Sequence, residues 1–255
     1  MYHFLLRTVP RPWLIRLSYV VRVFAPLLYR GDKVECTVCG GRFSKFLPYG
    51  YDGSAKRDNV LCPRCLTLER HRALWLFLRK RTDLFTRAKA DVLHIAPEQP
   101  LLPHFRKQRN LRYVTADLVS PLADVKCDIT AMPFADASYD VILCNHVLEH
   151  VDDDAKAMRE LYRVLRPGGW AVLQVPIDYN SPTTLQDPNI VSEADRVKHY
   201  WQKDHVRLYG LDYADKLRAA RFNVTMDDLV PAMPAEQRER YRLQSTEYIP
   251  FCRKD

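Results

Sequence analysis

The sequence has 255 residues, 47% of them hydrophobic and 27% charged, with a formal net charge of +8 at pH 7. This is the composition of a globular protein long enough for one sizeable core and a small module, and there is no internal repeat or low-complexity tract. The positive charge favours anionic partners such as nucleic acid, phosphorylated metabolites or acidic lipid, but a basic surface on a soluble protein explains it equally well.

Residues 1–33 form a basic and apolar N-terminal segment. Its apolar run from Pro12 to Tyr29 is interrupted by Arg16, Arg22 and Pro26, whereas a membrane-spanning helix needs about 20 apolar residues without central charge. The broken run, with no small-residue cleavage site after it, also argues against a secretory signal. Two alternatives stay open: the segment lies on an anionic membrane surface as a peripheral contact, or it packs its apolar face on the body of the protein.

Residues 34–88 contain four cysteines in two C-x2-C pairs separated by 22 residues. Four thiolates in two such knuckles match a tetrahedral structural zinc site, which leaves no open position for catalysis. Two disulfides or incidental cysteines are the alternatives. Disulfides are disfavoured because the chain has the features of a cytoplasmic protein, where thiols stay reduced. A linker helix is predicted from Thr67 to Phe85. The predicted zinc ligands are Cys36, Cys39, Cys62 and Cys65.

Strands and helices alternate in the predicted structure from residue 89 to the C-terminus. Short apolar runs rich in β-branched residues predict buried strands. A helix over residues 152–165, with acids at its start and Pro167 to Gly169 after its end, connects two of them. This spacing predicts a crossover unit of a mostly parallel sheet. The predicted strands cover residues 91–96, 112–116, 139–144, 170–175, 222–226 and 248–252.

Three stretches carry a resemblance to a known family: CDITAMPFADASYDVI, CNHVLEHV and ELYRVLRPGGWAVLQVP, in that order. Together they resemble the class I methyltransferases that use S-adenosylmethionine (SAM), most closely the bacterial type 11 group. The resemblance implies an α/β fold with a Rossmann-like, seven-stranded, mostly parallel sheet over residues 89–255, a last strand inserted antiparallel, and SAM as cofactor. The chain departs from the family after the first strand, where His94 replaces an acidic residue and Ala96, Pro97 and Glu98 replace a glycine-rich loop.

Candidate cofactor-binding residues follow the predicted strands, because parallel sheets bind ligands at the carboxyl ends of their strands. Asp117 comes about 20 residues after the first loop, where an acid accepts both ribose hydroxyls. The resemblance implies that Asp128 accepts the adenine amino group and that Ile129 contacts the ring, with a capping role as the alternative for Asp128. Glu98 is predicted to pair with the amino group of the methionine moiety, or else to face solvent at a helix start. The predicted set is Ala96, Glu98, Asp117, Leu118, Asp128, Ile129 and Asn145.

Catalysis by such a site depends mainly on positioning, because the sulfonium methyl group is already activated. A general base is needed only if the acceptor is a hydroxyl or a protonated amine. His146 and His205 are the predicted catalytic residues, His205 being interpreted equally well as a packing residue, and His150 is interpreted as mostly structural. The long polar and aromatic loop over residues 178–209 is predicted to define the acceptor.

The predicted function is methyl transfer from SAM to a small metabolite, sugar or glycan precursor by a cytoplasmic enzyme. One alternative is an RNA methyltransferase that binds RNA through the zinc module. A zinc-bearing N-terminus resembles that of the bacterial ribosomal-RNA guanine methyltransferases, although all-cysteine ligation across a 22-residue gap departs from their pattern. The other alternative is a catalytically silent binding module, which the missing glycine loop suggests.

Overall fold

The computed structural model describes residues 23–50 and 57–255. Most of the N-terminal segment predicted over residues 1–33 therefore lies outside the described residues, and so do residues 51–56 of the predicted zinc module. The chain divides into two compact units, one of residues 1–82 and 229–247 and the other of residues 83–228 and 248–255. The domain boundaries after residues 33 and 88 stay a prediction. Within residues 23–50 and 57–255, no helix combines the length and the apolarity that a membrane crossing requires.

Among its described residues, the first unit contains two small antiparallel sheets, a helical stretch over residues 23–28 and two further helices. Its elements are β1 (Arg30–Glu35), β2 (Arg42–Phe43), β3 (Leu47–Tyr49), β4 (Arg57–Leu61), α1 (Glu69–Lys80) and, from a later part of the chain, α6 (Ala235–Tyr241). Strand β1 pairs with β2, and β3 pairs with β4. The sequence predicted α1 as part of a longer helix, and it did not predict α6.

Arg72 on α1 organises this unit from the inside. Its side chain is fully buried, and a buried guanidinium is tolerated only when its donors are satisfied. The guanidinium donates to four backbone carbonyls, which join α1 to the end of β4, to the turn before α1 and to the end of α6. The acceptors are the carbonyl oxygens of Val60 (2.8 Å), Thr67 (2.9 Å), Tyr241 (2.8 Å) and Arg242 (3.0 Å).

The second unit contains a seven-stranded sheet in the order β10-β11-β9-β8-β5-β6-β7. Strands β5 to β9 pair in parallel, and β11 is antiparallel to both β10 and β9. This arrangement confirms the predicted Rossmann-like, mostly parallel sheet with an antiparallel last strand. The elements are β5 (Ala90–Ile95), α2 (Leu102–Arg106), β6 (Leu111–Asp117), β7 (Val125–Lys126), β8 (Tyr139–Cys144), α3 (Asp154–Val164), β9 (Leu165–Val172), α4 (Glu193–Tyr200), α5 (Tyr213–Ala219), β10 (Asn223–Asp227) and β11 (Ile249–Arg253).

Helix α3 shows how the local sequence builds this unit. Asp153 caps its N-terminus, since its Oδ1 accepts a hydrogen bond from the backbone N–H of Lys156 at 2.8 Å. A cap of this kind satisfies one of the backbone donors that a helix start leaves open. The apolar residues recur at helical spacing and are all buried in the core against the sheet. They are Ala157, Met158, Leu161 and Val164.

Strand β9 begins earlier than predicted, at Leu165 rather than Trp170. Leu165 already pairs with Tyr139 of β8, and the register then shifts before Val141 pairs with Trp170. Gly168 lies in this irregular stretch with φ at +76°, a conformation that favours glycine. The prediction therefore missed the start of β9 because its first residues alternate poorly and form a bulge.

The loop predicted over residues 178–209 contains helix α4, which the sequence analysis did not predict. The helix begins after Ser192, whose Oγ accepts a hydrogen bond from the N–H of Asp195 at 3.1 Å. Serine before acidic residues is a helix-start signal, but the helix buries only Tyr200. Its pattern therefore lacks the apolar stripe on which the prediction of helices depended.

Candidate functional site

The four cysteines of the first unit lie together. Cys36 Sγ is 3.5 Å from Cys65 Sγ, and Cys39 Sγ is 3.7 Å from Cys62 Sγ. None of the four is disulfide-bonded. Thiolates at about 2.3 Å around a tetrahedral zinc ion are about 3.8 Å from one another. The cluster therefore fits the predicted structural zinc site.

Each cysteine pair is shaped by a tight turn. The N–H of Gly40 donates to Cys36 O at 2.8 Å, and the N–H of Leu66 donates to Cys62 O at 2.9 Å. Gly40 and Leu66 both have positive φ angles, +66° and +59°. Buried Thr67 adds a hydroxyl whose Oγ1 is 3.3 Å from Cys36 Sγ and 3.1 Å from Cys65 Sγ. A hydroxyl donor beside thiolates stabilises their charge and orients them, as outer partners of metal ligands do.

The first turn of the predicted cofactor site follows β5. Ala96 has φ at +47°, and its N–H donates to Ala116 O at 2.8 Å. A left-handed conformation costs a residue with a β-carbon about 1–2 kcal/mol. The backbone here thus takes a conformation that favours glycine although an alanine occupies the position, so at this residue the departure from the glycine-rich pattern is one of residue type and not of backbone conformation.

Glu98 lies in the following loop and is held by two side chains. Its Oε2 is 2.6 Å from Nε2 of His94, and its Oε1 accepts from Nδ2 of Asn145 at 3.2 Å. His94 is fully buried, and its Nδ1 is 2.7 Å from the hydroxyl of Tyr113. Burial of Tyr113 raises the pKa of its hydroxyl, so the group keeps its proton at neutral pH. Because Nε2 of His94 faces a carboxylate, which only accepts, Nε2 carries the proton of the neutral ring and Nδ1 accepts from the Tyr113 hydroxyl. Oδ1 of Asn145 is buried and has no hydrogen-bond partner among the described residues.

Asp117 ends β6, as predicted for the ribose-binding acid. Its Oδ1 accepts hydrogen bonds from the backbone N–H groups of Val119 (2.7 Å) and Ser120 (2.6 Å), which fixes the loop after the strand. Among the described residues, Oδ2 makes none of these bonds and stays available to a ligand. Leu118, the next residue in the predicted set, is 55% exposed.

Asp128 follows β7 and caps its own turn. Its Oδ1 accepts from the N–H of Thr130 at 2.8 Å and from the Thr130 hydroxyl at 2.9 Å. These hydrogen bonds, the backbone one first, lower the pKa of Asp128 below its ordinary value, so the carboxylate is charged at neutral pH. Oδ1 of Asp128 thus has the capping role that was the alternative interpretation of this residue, whereas Oδ2 is left for the predicted adenine contact. Ile129 is buried beside it.

The chain turns sharply after β8, where His146 has φ at +56° and donates its N–H to Gln174 O at 2.7 Å. Nδ1 of His146 is 3.3 Å from Oε1 of Glu149, a residue only 1% exposed. Burial alone would raise the pKa of Glu149, but interactions with His146, with the backbone and with His150 together outweigh burial and keep that pKa below its ordinary value. The carboxylate of Glu149 is therefore charged at neutral pH and lies in contact with the imidazole of His146.

His205 is 1% exposed, and its Nδ1 is 2.8 Å from the carbonyl oxygen of Tyr200. Because a carbonyl only accepts, Nδ1 carries the proton and Nε2 carries the lone pair. Burial lowers the pKa of His205, which keeps the imidazole neutral at pH 7. The exposed ring of His150 packs edge-on against His205, with ring centroids 4.8 Å apart.

Residues 80–173 match the model of a family described as a methyltransferase domain. Over these residues the chain is similar to a methyltransferase domain. This match covers β5 to β9 and thus the four strand ends that present the predicted cofactor-binding residues.

Two curated relatives match the chain over shorter stretches. The chain is 34% identical over 128 residues to an uncharacterized 37.1 kDa protein in transposon TN4556 of Streptomyces fradiae, covering 48% of this chain and 34% of that protein. It is 42% identical over 60 residues to the ubiquinone/menaquinone biosynthesis C-methyltransferase UbiE of Xanthomonas oryzae pv. oryzae, covering 24% of each. The chain thus spans a third or less of the length of these relatives.

The solved [4+2]-cyclase SpnF has a similar fold, with a TM-score of 0.52 at 15% identity, and the likeness covers 93% of this chain and 95% of that one. At this identity the likeness concerns the fold alone. Because that protein is named a cyclase, the methyltransferase fold by itself does not specify methyl transfer.

Arg207 has a structural role that the sequence did not predict. Its side chain is fully buried. It donates to the carbonyl oxygens of Leu148 (2.7 Å), Val151 (2.5 Å) and Asp152 (2.8 Å). These carbonyls belong to the segment after β8 that includes Glu149 and His150. An arginine in a polar loop carries no sequence sign of such burial, and only its position after the predicted His205 hints at the site.

Proposed function

We propose that the methyltransferase domain transfers a methyl group from SAM to a small-molecule acceptor, a metabolite, sugar or glycan precursor. The family match supports methyl transfer. The observation that carries the proposal is the pair of acceptors formed by Glu98 and by Oδ1 of Asn145, a residue only 4% exposed. A buried oxygen without a donor costs about 1–3 kcal/mol. A carboxylate next to such an oxygen suits a cationic ammonium group, which SAM carries on its methionine moiety.

Residues at two other strand ends, those of β6 and β7, and the turn after β5 would hold the rest of the cofactor. Oδ2 of Asp117 is proposed to accept from the ribose hydroxyls and Oδ2 of Asp128 from the adenine amino group, since the Oδ1 atoms are engaged in turns. Ile129 and Leu118 are proposed to contact the ring, and the turn at Ala96 to pass close to the methionine moiety. When bound, SAM supplies a methyl group activated by its positively charged sulfur.

The chain's task in the reaction is to orient the acceptor in line with that methyl group and to remove a proton if the acceptor is a hydroxyl or a protonated amine. We propose His146 and His205 as the residues on this side. The His146 side chain is 28% exposed and therefore reachable from solvent, and Glu149 lies 3.3 Å from its Nδ1. His205 keeps a neutral, unprotonated Nε2 through its hydrogen bond to Tyr200. The segment over residues 178–209 is proposed to select the acceptor.

A zinc ion in the four-cysteine cluster is proposed to be structural, because four thiolates complete its tetrahedral shell. Reduced thiols of this kind suit a cytoplasmic protein. An RNA partner and a peripheral membrane contact through residues 1–33 stay predictions.

Calorimetric titration with SAM and with its demethylated product tests the proposal. Asp117→Asn and Asn145→Ala are each expected to weaken binding by about tenfold or more, because each removes a hydrogen bond to a charged or buried group worth roughly 1.5–3 kcal/mol. Asp215→Asn is a matched control, since Asp215 is exposed on α5 and, within residues 23–50 and 57–255, its carboxylate pairs only with Arg218. Equal affinities for all three variants would contradict the assignment of the site.

A further inference from the structure

Three side chains with metal-binding atoms meet beyond the end of β8. Glu149 and His150 belong to the short 3-10 turn Leu148–His150, and His205 comes from the segment after α4. Their donor atoms lie within 4.8 Å of one another. The backbone holds the two parts together, since the N–H of Val206 donates to Glu149 O at 2.9 Å.

The hydrogen bonds made by the two histidines of this cluster show which ring nitrogens carry protons and which are left as acceptors. Nδ1 of His205 donates to Tyr200 O at 2.8 Å, and Nδ1 of His150 donates to Asp204 O at 3.1 Å. Each ring therefore has its Nε2 as the remaining nitrogen. Nε2 of His205 is buried and has no hydrogen-bond partner among the described residues, and the same holds for Oε2 of Glu149. An unpaired lone pair and an unpaired carboxylate oxygen buried side by side each cost about 1–3 kcal/mol unless something positive lies between them.

We infer that Glu149, His150 and His205 bind a divalent first-row transition-metal ion. Two imidazole nitrogens and one carboxylate oxygen are ligands that such ions favour, and they differ from the soft thiolates of the cysteine cluster. Histidines that bind metals almost always donate their other ring N–H to a carbonyl or carboxylate, which is what His150 and His205 do here.

The dimensions of the cluster suit an ion better than a larger ligand. Metal–nitrogen and metal–oxygen distances of about 2.0–2.2 Å put two ligands of the same ion about 3–4 Å apart, so small side-chain adjustments close this cluster around an ion. Glu149 and His205 are each 1% exposed, and the ligand atoms of the cluster lie within 4.8 Å of one another, a spacing that a single ion can bridge. Exposed His150 opens the cluster to solvent, and an ion with three protein ligands keeps positions for water or an acceptor oxygen.

The groups around the cluster fit a cation. His146 is 3.3 Å from the other oxygen of Glu149, and Asp204 adds a carboxylate 3.5 Å from Nδ1 of His150. Two carboxylates thus balance the added positive charge. Nε2 of His205 has one lone pair, which can bind either a metal ion or a proton. If a metal ion is bound, His205 cannot accept a proton from the methyl acceptor, and that role falls to His146. The binding of the ion itself does not depend on methyl transfer.

The test is a cobalt titration of full-length protein whose four-cysteine cluster has first been loaded with zinc, since zinc is held more tightly than cobalt. Visible absorption of cobalt bound to nitrogen and oxygen ligands, together with calorimetry, reports the second ion. Zinc-loaded wild-type protein is expected to bind one further cobalt ion. Glu149→Gln and His205→Gln are each expected to lower the cobalt affinity at least about tenfold, because losing even an outer partner of a metal ligand lowers metal affinity by about that factor. His199→Gln, a change of another α4-region histidine, is the matched control.

Circular dichroism establishes whether the two buried variants fold. If they do not, His150→Gln at the exposed ligand carries the test and is expected to show the same loss of cobalt affinity. The inference is overturned if zinc-loaded wild-type protein takes up no cobalt, or if the ligand variants bind it as tightly as His199→Gln does.

Discussion

The buried guanidinium of Arg207 provides the sharpest prediction for the second unit. In Arg207→Met, the carbonyl oxygens of Leu148, Val151 and Asp152 lose their charged donor, and Asp154 loses a partner at 3.5 Å. A buried acceptor left without a donor costs about 1–3 kcal/mol, and breaking a buried charge pair costs about 3–5 kcal/mol. Methionine recovers part of this through packing. We therefore expect the free energy of unfolding to fall by about 3–5 kcal/mol.

Urea denaturation at pH 7, followed by circular dichroism and tryptophan fluorescence, measures this change. Arg218→Met is the control, because Arg218 is half-exposed on α5 and pairs with exposed Asp215; a surface change of this kind stays within about 0.5 kcal/mol. Any well-folded Arg207→Met protein is also expected to lose the cobalt binding inferred for His150 and His205, because Arg207 anchors the turn that presents His150. A loss of stability below about 1 kcal/mol would refute the reasoning, since it would mean that water or the backbone replaces the guanidinium at no cost.

Three further predictions concern other parts of the molecule. Cys62→Ala is expected to abolish the zinc that resists chelators, as measured by elemental analysis, because three thiolates leave the zinc shell incomplete. The first unit of this variant should also be cleaved more readily in limited proteolysis, and an unchanged zinc content would contradict the prediction. Hydrogen bonds from the Thr115 hydroxyl and N–H lower the pKa of Asp124, so its stabilising effect is present above the unfolded pKa of about 3.9 and is lost as the pH falls through the lower folded value. Urea midpoints measured from pH 6 to pH 3 should therefore fall less steeply for Asp124→Asn than for wild type, and parallel curves would count against this. Tyr113→Phe removes the hydroxyl that lies 2.7 Å from Nδ1 of His94. Calorimetry is expected to show SAM binding weakened about three- to tenfold, since one hydrogen bond is worth about 1 kcal/mol. An unchanged affinity would show that the orientation of His94 does not depend on the Tyr113 hydroxyl.

Local sequence pattern was sufficient to predict those features that depend on a residue's neighbours in the chain. The apolar runs of β5 and β8, the acidic cap of α3 and the paired cysteines were all readable in this way, because period, capping and ligand spacing are properties of short stretches. The start of β9 at Leu165 and helix α4 were not readable, since a bulge and a mostly exposed helix weaken the same patterns.

The amino-acid sequence by itself thus determined the fold class, the cysteine cluster and the strand ends at which Asp117, Asp128 and Asn145 stand. Only the tertiary structure decided what those side chains touch: Glu98 between His94 and Asn145, and His205 beside Glu149 across 56 residues of chain. The physical reason is that hydrogen-bond and metal-ligand geometry depends on distances between segments remote in sequence. Burial then makes each of these polar contacts obligatory, because no water is present to replace a missing partner.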